Sequence, residues 1–198
     1  MVNGHWGYHL TVRIRENLTI PNVLSVLRLA MLPTFVSLFA DGRVVAGSWF
    51  FGLLASTDWI DGYIARRFNQ VSELGKILDP IADRTVFFVG IGAALYYDYL
   101  PMWFGIVILI REVSIAVLMV VATAMGMERL PVTRLGKWAT FALMAAVPWI
   151  TLGSAGGAWT VFTYMGWAVG IPGVFVSYKS FFQYLPTVRS HLASGRRS

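Results

Sequence analysis

Apolar residues in this chain run in long blocks, not in the alternation of a half-buried strand or the narrow stripe of a soluble helix. Six blocks can be delimited: about Pro21 to Ala40, Val44 to Ala65, Gly75 to Tyr97, Pro101 to Ala124, Leu135 to Leu152, and Trp159 to Tyr178. Each approaches the ~20 residues a helix needs to cross the hydrocarbon core of a bilayer. Between them stand Asp41-Gly42, Arg67-Phe68-Asn69-Gln70, Asp98-Tyr99, the polar stretch from Glu128 to Arg134, and Gly153 to Gly157. Turn and breaker residues mark most of these joints. The expected fold is all-α, a polytopic membrane protein with six transmembrane helices. The segments expected are an interfacial one at 1–20, a six-helix domain at 21–184 and a basic cytoplasmic tail at 185–198.

Composition agrees. Of 198 residues, 57% are hydrophobic and 13% charged, with a mean hydropathy of +0.63. That charge fraction is about half the soluble norm. Cysteine is absent, so neither disulfides nor thiolate chemistry enter. The N-terminal region is polar and basic, without the short apolar core and small-residue site of a cleaved signal peptide. Residues 4–20 mix aromatics with Arg13 and Arg15, as an interfacial amphipathic segment would. His5 and His9 are four apart there but have no further ligand nearby.

Charge then orients the spans. One set of ends carries Arg13, Arg15, Arg66, Arg67, Lys76, Arg129, Arg134, Lys137, Lys179, Arg189, Arg196 and Arg197; the other carries Arg43 alone. Basic residues favour the cytoplasmic side, so both termini are expected there. The net charge of +6 reads as topology and attraction to anionic lipid, with no nucleic-acid partner expected.

Four aspartates interrupt the apolar pattern at the ends of spans two and three. Asp58, Asp61, Gly62 and Ala65 fall at i, i+3, i+4 and i+7, on one helical face. Gly75, Asp79 and Asp83 fall at i, i+4 and i+8, again one face. A short connection makes the two helices antiparallel neighbours, so four carboxylates can converge. Small residues at Gly62, Ala65 and Gly75 permit close helix approach and leave room for a ligand. Clustered carboxylates beside hydrocarbon are costly until a cation neutralises them. Oxygen-only donors without His or Cys favour Mg²⁺ or Mn²⁺, ions that commonly hold phosphate oxygens. Arg66 could neutralise such a phosphate. Pro80 cannot donate to the carbonyl of Lys76, which leaves either a kink or a carbonyl free for a ligand.

The string D-x2-D-G-x2-A-R-x8-G-x3-D-x3-D, from Asp58 to Asp83, resembles the signature of the CDP-alcohol phosphatidyltransferases, with all eight signature residues in place. T-I-P-N-V-L-S-V-L-R at 19–28 is similar to that family's first span. G-K-I-L-D-P-I-A-D-R and I-R-E at 110–112 resemble its glycerophospholipid branch. The resemblance implies a homodimer of six spans per subunit with a site opening to the cytoplasm. It implies that Asp58, Asp61 and Asp79 bind metal, and that Asp83 closes the metal site and acts as catalytic base. Gly62, Ala65, Arg66 and Gly75 would surround the CDP group of CDP-diacylglycerol. The phosphatidyl group would pass to a glycerol hydroxyl of an anionic acceptor, releasing CMP.

Within that branch the chain looks most like phosphatidylglycerol phosphate synthases and actinobacterial cardiolipin synthases. Both acceptors are anionic, and Arg28, Arg111, Arg134 and Lys137 are the candidate cations for them. Arg28 and Arg111 lie within spans, where arginines are functional suspects. Glu112 sits beside Arg111, though adjacent helix positions are expected to diverge. Users of glycerol phosphate often show G-K-x-K-T where this chain has G-K-W-A-T at 136–140. Ala139 in place of the second lysine favours a phosphodiester acceptor, phosphatidylglycerol, over the monoester glycerol 3-phosphate, which stays as the alternative. Two other classes fit less well. An intramembrane prenyltransferase needs a second aspartate-rich motif, and the acids after Asp83 are only Asp98, Glu112 and Glu128. An ion transporter commonly shows two similar halves, and the motif has no second copy.

Overall fold

The computed structural model describes residues 19–67, 75–124 and 134–194. Those residues form six α-helices and one 3₁₀ turn, with no strand. The helices are α1 (Ile20–Ala40), α2 (Val44–Arg67), α3 (Gly75–Tyr96), α4 (Met102–Ala124), α5 (Arg134–Gly153) and α6 (Thr160–Ser194), with the 3₁₀ turn at Gly157–Trp159 before α6. Five of the six begin and end within two residues of the hydropathy blocks. The sixth differs: the apolar block fades near Tyr178, yet α6 continues to Ser194. Hydropathy reports the medium, whereas a helix can continue through polar residues once it leaves the apolar layer. The aromatic and arginine segment before Thr19 lies outside the described residues.

Among the described residues, four helices are long and apolar enough to cross a membrane: Asn22–Ala40, Met102–Ala122, Arg134–Gly153 and Gly157–Gln183. The apolar part of α2, Val44–Thr57, is shorter, and α3 carries Asp79, Asp83 and Arg84. Burial on the first half of α1 is inverted for a protein in water. Asn22, Ser25 and Arg28 are buried, whereas Val23, Val26 and Leu27 on the other side are half exposed. Such a helix is stable only where its outer surroundings are apolar. The protein is a membrane protein.

Helix ends are set by local chemistry. The Thr19 hydroxyl caps α1 by accepting from the Asn22 amide at 3.4 Å. α1 stops in a Schellman turn: Gly42 has φ +70°, its amide donates to Phe39 O, and the Arg43 amide donates to Leu38 O. α3 ends in the same way, with Asp98 at φ +58° in the glycine position and the Tyr99 amide donating to Ala94 O.

The chain divides into two compact units, Met1–Ala93 and Ala94–Ser198. In the first, Phe35, Phe39, Phe51 and Leu54 form an aromatic core between α1 and α2. The Phe35 ring lies 4.8 Å from that of Phe39 and 5.2 Å from that of Phe51. Glycines seat these rings. A β-carbon on Gly90 of α3 would fall 3.0 Å from Phe51 Cδ2 and closer still to Cε2 and Cζ. In the second unit, α5 and α6 form a tight pair. Gly166, Gly170 and Gly173 present a small-residue stripe to Ala142, Leu143, Ala146 and Ile150. Phe104 of α4 sits on Gly170, Trp103 stacks on Trp167 with centroids 5.4 Å apart, and the Tyr178 hydroxyl donates to Val107 O at 2.9 Å.

Candidate active site

The aspartate motif straddles the junction of α2 and α3. Asp58, Asp61, Gly62, Ala65 and Arg66 fall on the last turns of α2; their side chains lie outside those described. Gly75 is buried at the start of α3, and Asp79 and Asp83 follow one and two turns on. The two helices touch where the Phe51 ring lies on Gly90. Phe51 precedes Asp58 by about two turns, and Gly90 follows Asp83 by about two turns. The junction between Arg67 and Gly75 is short, so α2 and α3 run antiparallel. The backbone thus brings the two halves of the motif to the same end of the pair.

α1 meets this end with a polar stripe. Asn22, Ser25 and Arg28 recur at three-residue spacing and are buried together, followed on the same side by Leu32, Phe35 and Phe39. Ser25 Oγ donates to Asp79 Oδ1 at 2.7 Å. Arg28 Nη1 donates to Asp83 Oδ1 as an ion pair. The Arg28 side chain is 3% exposed and that of Asp83 29%, so the carboxylate keeps an open edge while its partner does not. A charge-assisted bond of this kind is among the stronger polar contacts a protein makes.

Ser25 and Asn22 were not among the candidates drawn from the sequence. Their signal was present, since N-x2-S-x2-R puts three polar residues on one face of an otherwise apolar span. Arg28 was picked out because a lone charge in a span is conspicuous, whereas serine is common in helices and easily passed over.

In the second unit, Arg111 of α4 is buried. Its Nη1 donates to Glu112 Oε1, and its Nη2 to Thr140 Oγ1 of α5 at 3.2 Å. The divergence expected of the adjacent pair Arg111 and Glu112 is therefore corrected. Their side chains are long enough to curl together where lipid offers the guanidinium nothing better. Arg111 Nε is buried with no partner among the described residues. Thr140 passes its own proton to Gly136 O at 3.1 Å. In G-K-W-A-T, Gly136 and Ala139 face inward, Ala139 being 2% exposed, while Lys137 and Trp138 face outward with Arg134.

A family model described as CDP-alcohol phosphatidyltransferase matches residues 18–172. The chain belongs to this family. It is an enzyme of phospholipid biosynthesis, and its family is in general divalent-metal dependent. Its relatives include proteins named as cardiolipin synthases and proteins named as glycerol-3-phosphate phosphatidyltransferases. It is 39% identical over 173 residues to a candidate cardiolipin synthase of Mycobacterium tuberculosis, covering 84% of this chain and 81% of the relative. It is 38% identical over 159 residues to a CMP-forming cardiolipin synthase of Streptomyces coelicolor, covering 76% and 74%. It is 32% identical over 189 residues to a CDP-diacylglycerol–glycerol-3-phosphate 3-phosphatidyltransferase of Pseudomonas fluorescens, covering 91% and 95%. The enzyme's substrates are CDP-diacylglycerol and an acceptor of the glycerol-phosphate type.

Proposed function

We propose that the enzyme moves the phosphatidyl group of CDP-diacylglycerol to phosphatidylglycerol, releasing CMP and forming cardiolipin. The observation that carries the choice of acceptor is Ala139. It is 2% exposed, at the position where glycerol-phosphate users often have lysine. A lysine buried there would need an anion to neutralise it, and a dianionic phosphate monoester would supply one. Alanine needs nothing, which suits a singly charged phosphodiester. The higher identities to proteins named as cardiolipin synthases point the same way.

Asp58, Asp61, Asp79 and Asp83 are the residues we propose to hold the divalent ion, Mg²⁺ or Mn²⁺. The donor set fits. Asp79 and Asp83 stand one turn apart, offer only oxygens, and each holds one oxygen in a bond to α1. The ion, when bound, supplies electrostatic stabilisation of charge on the pyrophosphate. The chain's own residues do the rest. Gly62, Ala65 and Gly75 leave room for the cytidine nucleotide, and Arg66 offers its guanidinium to a phosphate. Asp83 takes the proton from the acceptor's glycerol hydroxyl. Arg28 holds that carboxylate in place through Oδ1. The cations proposed for the acceptor's phosphate are Arg28 in the first unit and Arg111, Arg134 and Lys137 in the second. Six spans in the domain at 21–184, a cytoplasmic site, both termini on that side and a homodimer complete the proposal.

Purified enzyme given CDP-diacylglycerol, Mg²⁺ and either phosphatidylglycerol or glycerol 3-phosphate tests it, with CMP and the lipid product followed together. Cardiolipin formation supports the reading. Phosphatidylglycerol phosphate as the main product overturns the acceptor and leaves the transfer chemistry standing.

A further inference from the structure

Hydroxyl groups in this protein's helices mostly turn back on their own backbone. Ser37, Ser56, Thr85, Ser114 and Ser177 each donate to a carbonyl three or four residues earlier. That is the usual way a helix absorbs a hydroxyl in apolar surroundings. Ser25 reaches across to another helix. It is 1% exposed, and its proton goes across to Asp79 Oδ1 on another helix, at 2.7 Å. From this we infer that Ser25 is a positioning residue for Asp79. It fixes the rotation of the carboxylate so that Oδ1 is committed to α1 and Oδ2 stays directed to the shared face of the motif.

The inference rests on the proposed metal-binding role of Asp79. A carboxylate on a two-bond stem rotates freely unless something pins one oxygen. A free rotor must lose that freedom when it binds a cation, whereas a pinned one has lost it on folding. Outer partners of this kind typically change metal affinity or activity by about 10–100-fold when removed. The neighbouring stripe residue Arg28 acts alike on Asp83, so α1 sets both carboxylates of α3.

The test compares wild type, Ser25→Ala and Ser25→Thr as full-length protein in detergent. Mn²⁺ is titrated by electron paramagnetic resonance with CDP present, without turnover. CMP release is then measured against Mn²⁺ concentration. Ser25→Ala is expected to bind Mn²⁺ about 10–100-fold more weakly. Its half-maximal Mn²⁺ concentration should rise in step, while the rate at saturating Mn²⁺ falls much less. Ser25→Thr, which keeps the hydroxyl, should stay near wild type. Unchanged Mn²⁺ affinity in Ser25→Ala overturns the inference, and so does a loss that threonine does not restore. If the alanine variant fails to fold, Ser25→Cys carries the same expectation, being close in size and a poor donor. Wild type that binds Mn²⁺ but releases no CMP would defeat the proposed function instead, and the titration would still decide on Ser25.

Discussion

Gly90 sets the spacing of the two helices that carry the aspartates, and Gly90→Ala should damage stability and turnover together. The added β-carbon would lie 3.0 Å from Phe51 Cδ2 and nearer still to two other ring atoms. Carbon atoms pack comfortably at about 3.5–4.0 Å, so something must yield by roughly an ångström. The ring has little space to do so, since Phe51 is buried and already lies against Phe35 at 5.2 Å. The remaining route is for α3 to move away from α2. Overpacking of this kind costs about 1–3 kcal/mol. The contact stands about two turns from Asp58 on one helix and from Asp83 on the other, so separation there reaches the carboxylates. Misplacement of reacting groups by about an ångström can cost around 100-fold in rate. The assay is thermal unfolding in detergent, read by tryptophan fluorescence, beside kcat for CMP release. Phe51→Leu in the Gly90→Ala background removes the ring edge and should recover much of both. Wild-type melting and turnover in Gly90→Ala would refute the reasoning. So would a loss of activity that Phe51→Leu leaves untouched in a restored fold.

Four further outcomes follow from the site. Asp83→Asn should lower CMP release by at least about 100-fold, the lower range for a lost general base, while the protein still inserts. Asp58→Ala should remove the metal-dependent activity, measured as CMP release across a Mg²⁺ titration. Excess chelator should stop turnover and added Mg²⁺ or Mn²⁺ should restore it, and activity that persists in chelator would contradict the proposed metal role. Ala139→Lys should shift the ratio of kcat/KM toward glycerol 3-phosphate over phosphatidylglycerol by roughly ten- to hundredfold, the worth of one charge-assisted hydrogen bond.

The six helices were legible because apolar runs and their breakers are local signals, and lipid exposure makes them long. Asp41-Gly42 and Asp98-Tyr99 were read as joints, and both prove to be Schellman turns. The end of α6 was not legible, because nothing in hydropathy stops a helix that leaves the apolar layer. The motif carboxylates stood out for their cost in hydrocarbon, and Arg28 for the same reason. Ser25 did not, because its role depends on which helix lies opposite, and that is a tertiary fact. The same holds for Glu112, whose meeting with Arg111 depends on side-chain reach instead of helical angle. Gly90, Gly166, Gly170 and Gly173 read as ordinary membrane-helix glycines until the rings and methyl groups seated on them are known.

The arrangement of α1 explains how such a site can exist in an apolar layer at all. Carboxylates near hydrocarbon repel one another and are poorly solvated, so a helix pair bearing four of them would tend to separate. The buried side of α1 changes character halfway along. Leu32, Phe35 and Phe39 join the core that includes Phe51, while Asn22, Ser25 and Arg28 form the polar half toward the motif end. The apolar half holds α1 to its neighbour by packing, and the polar half supplies a proton donor to Asp79 and a cation to Asp83. Neither half suffices alone: without the rings the donors would not be held in register, and without the donors the carboxylates would lose the proton and the charge that α1 supplies. Arg28 pairs with Asp83 through Oδ1, and 29% of the Asp83 side chain is still exposed. That residual exposure suits the proton-accepting role proposed for Asp83, because a carboxylate enclosed by its counter-ion could not reach an incoming hydroxyl.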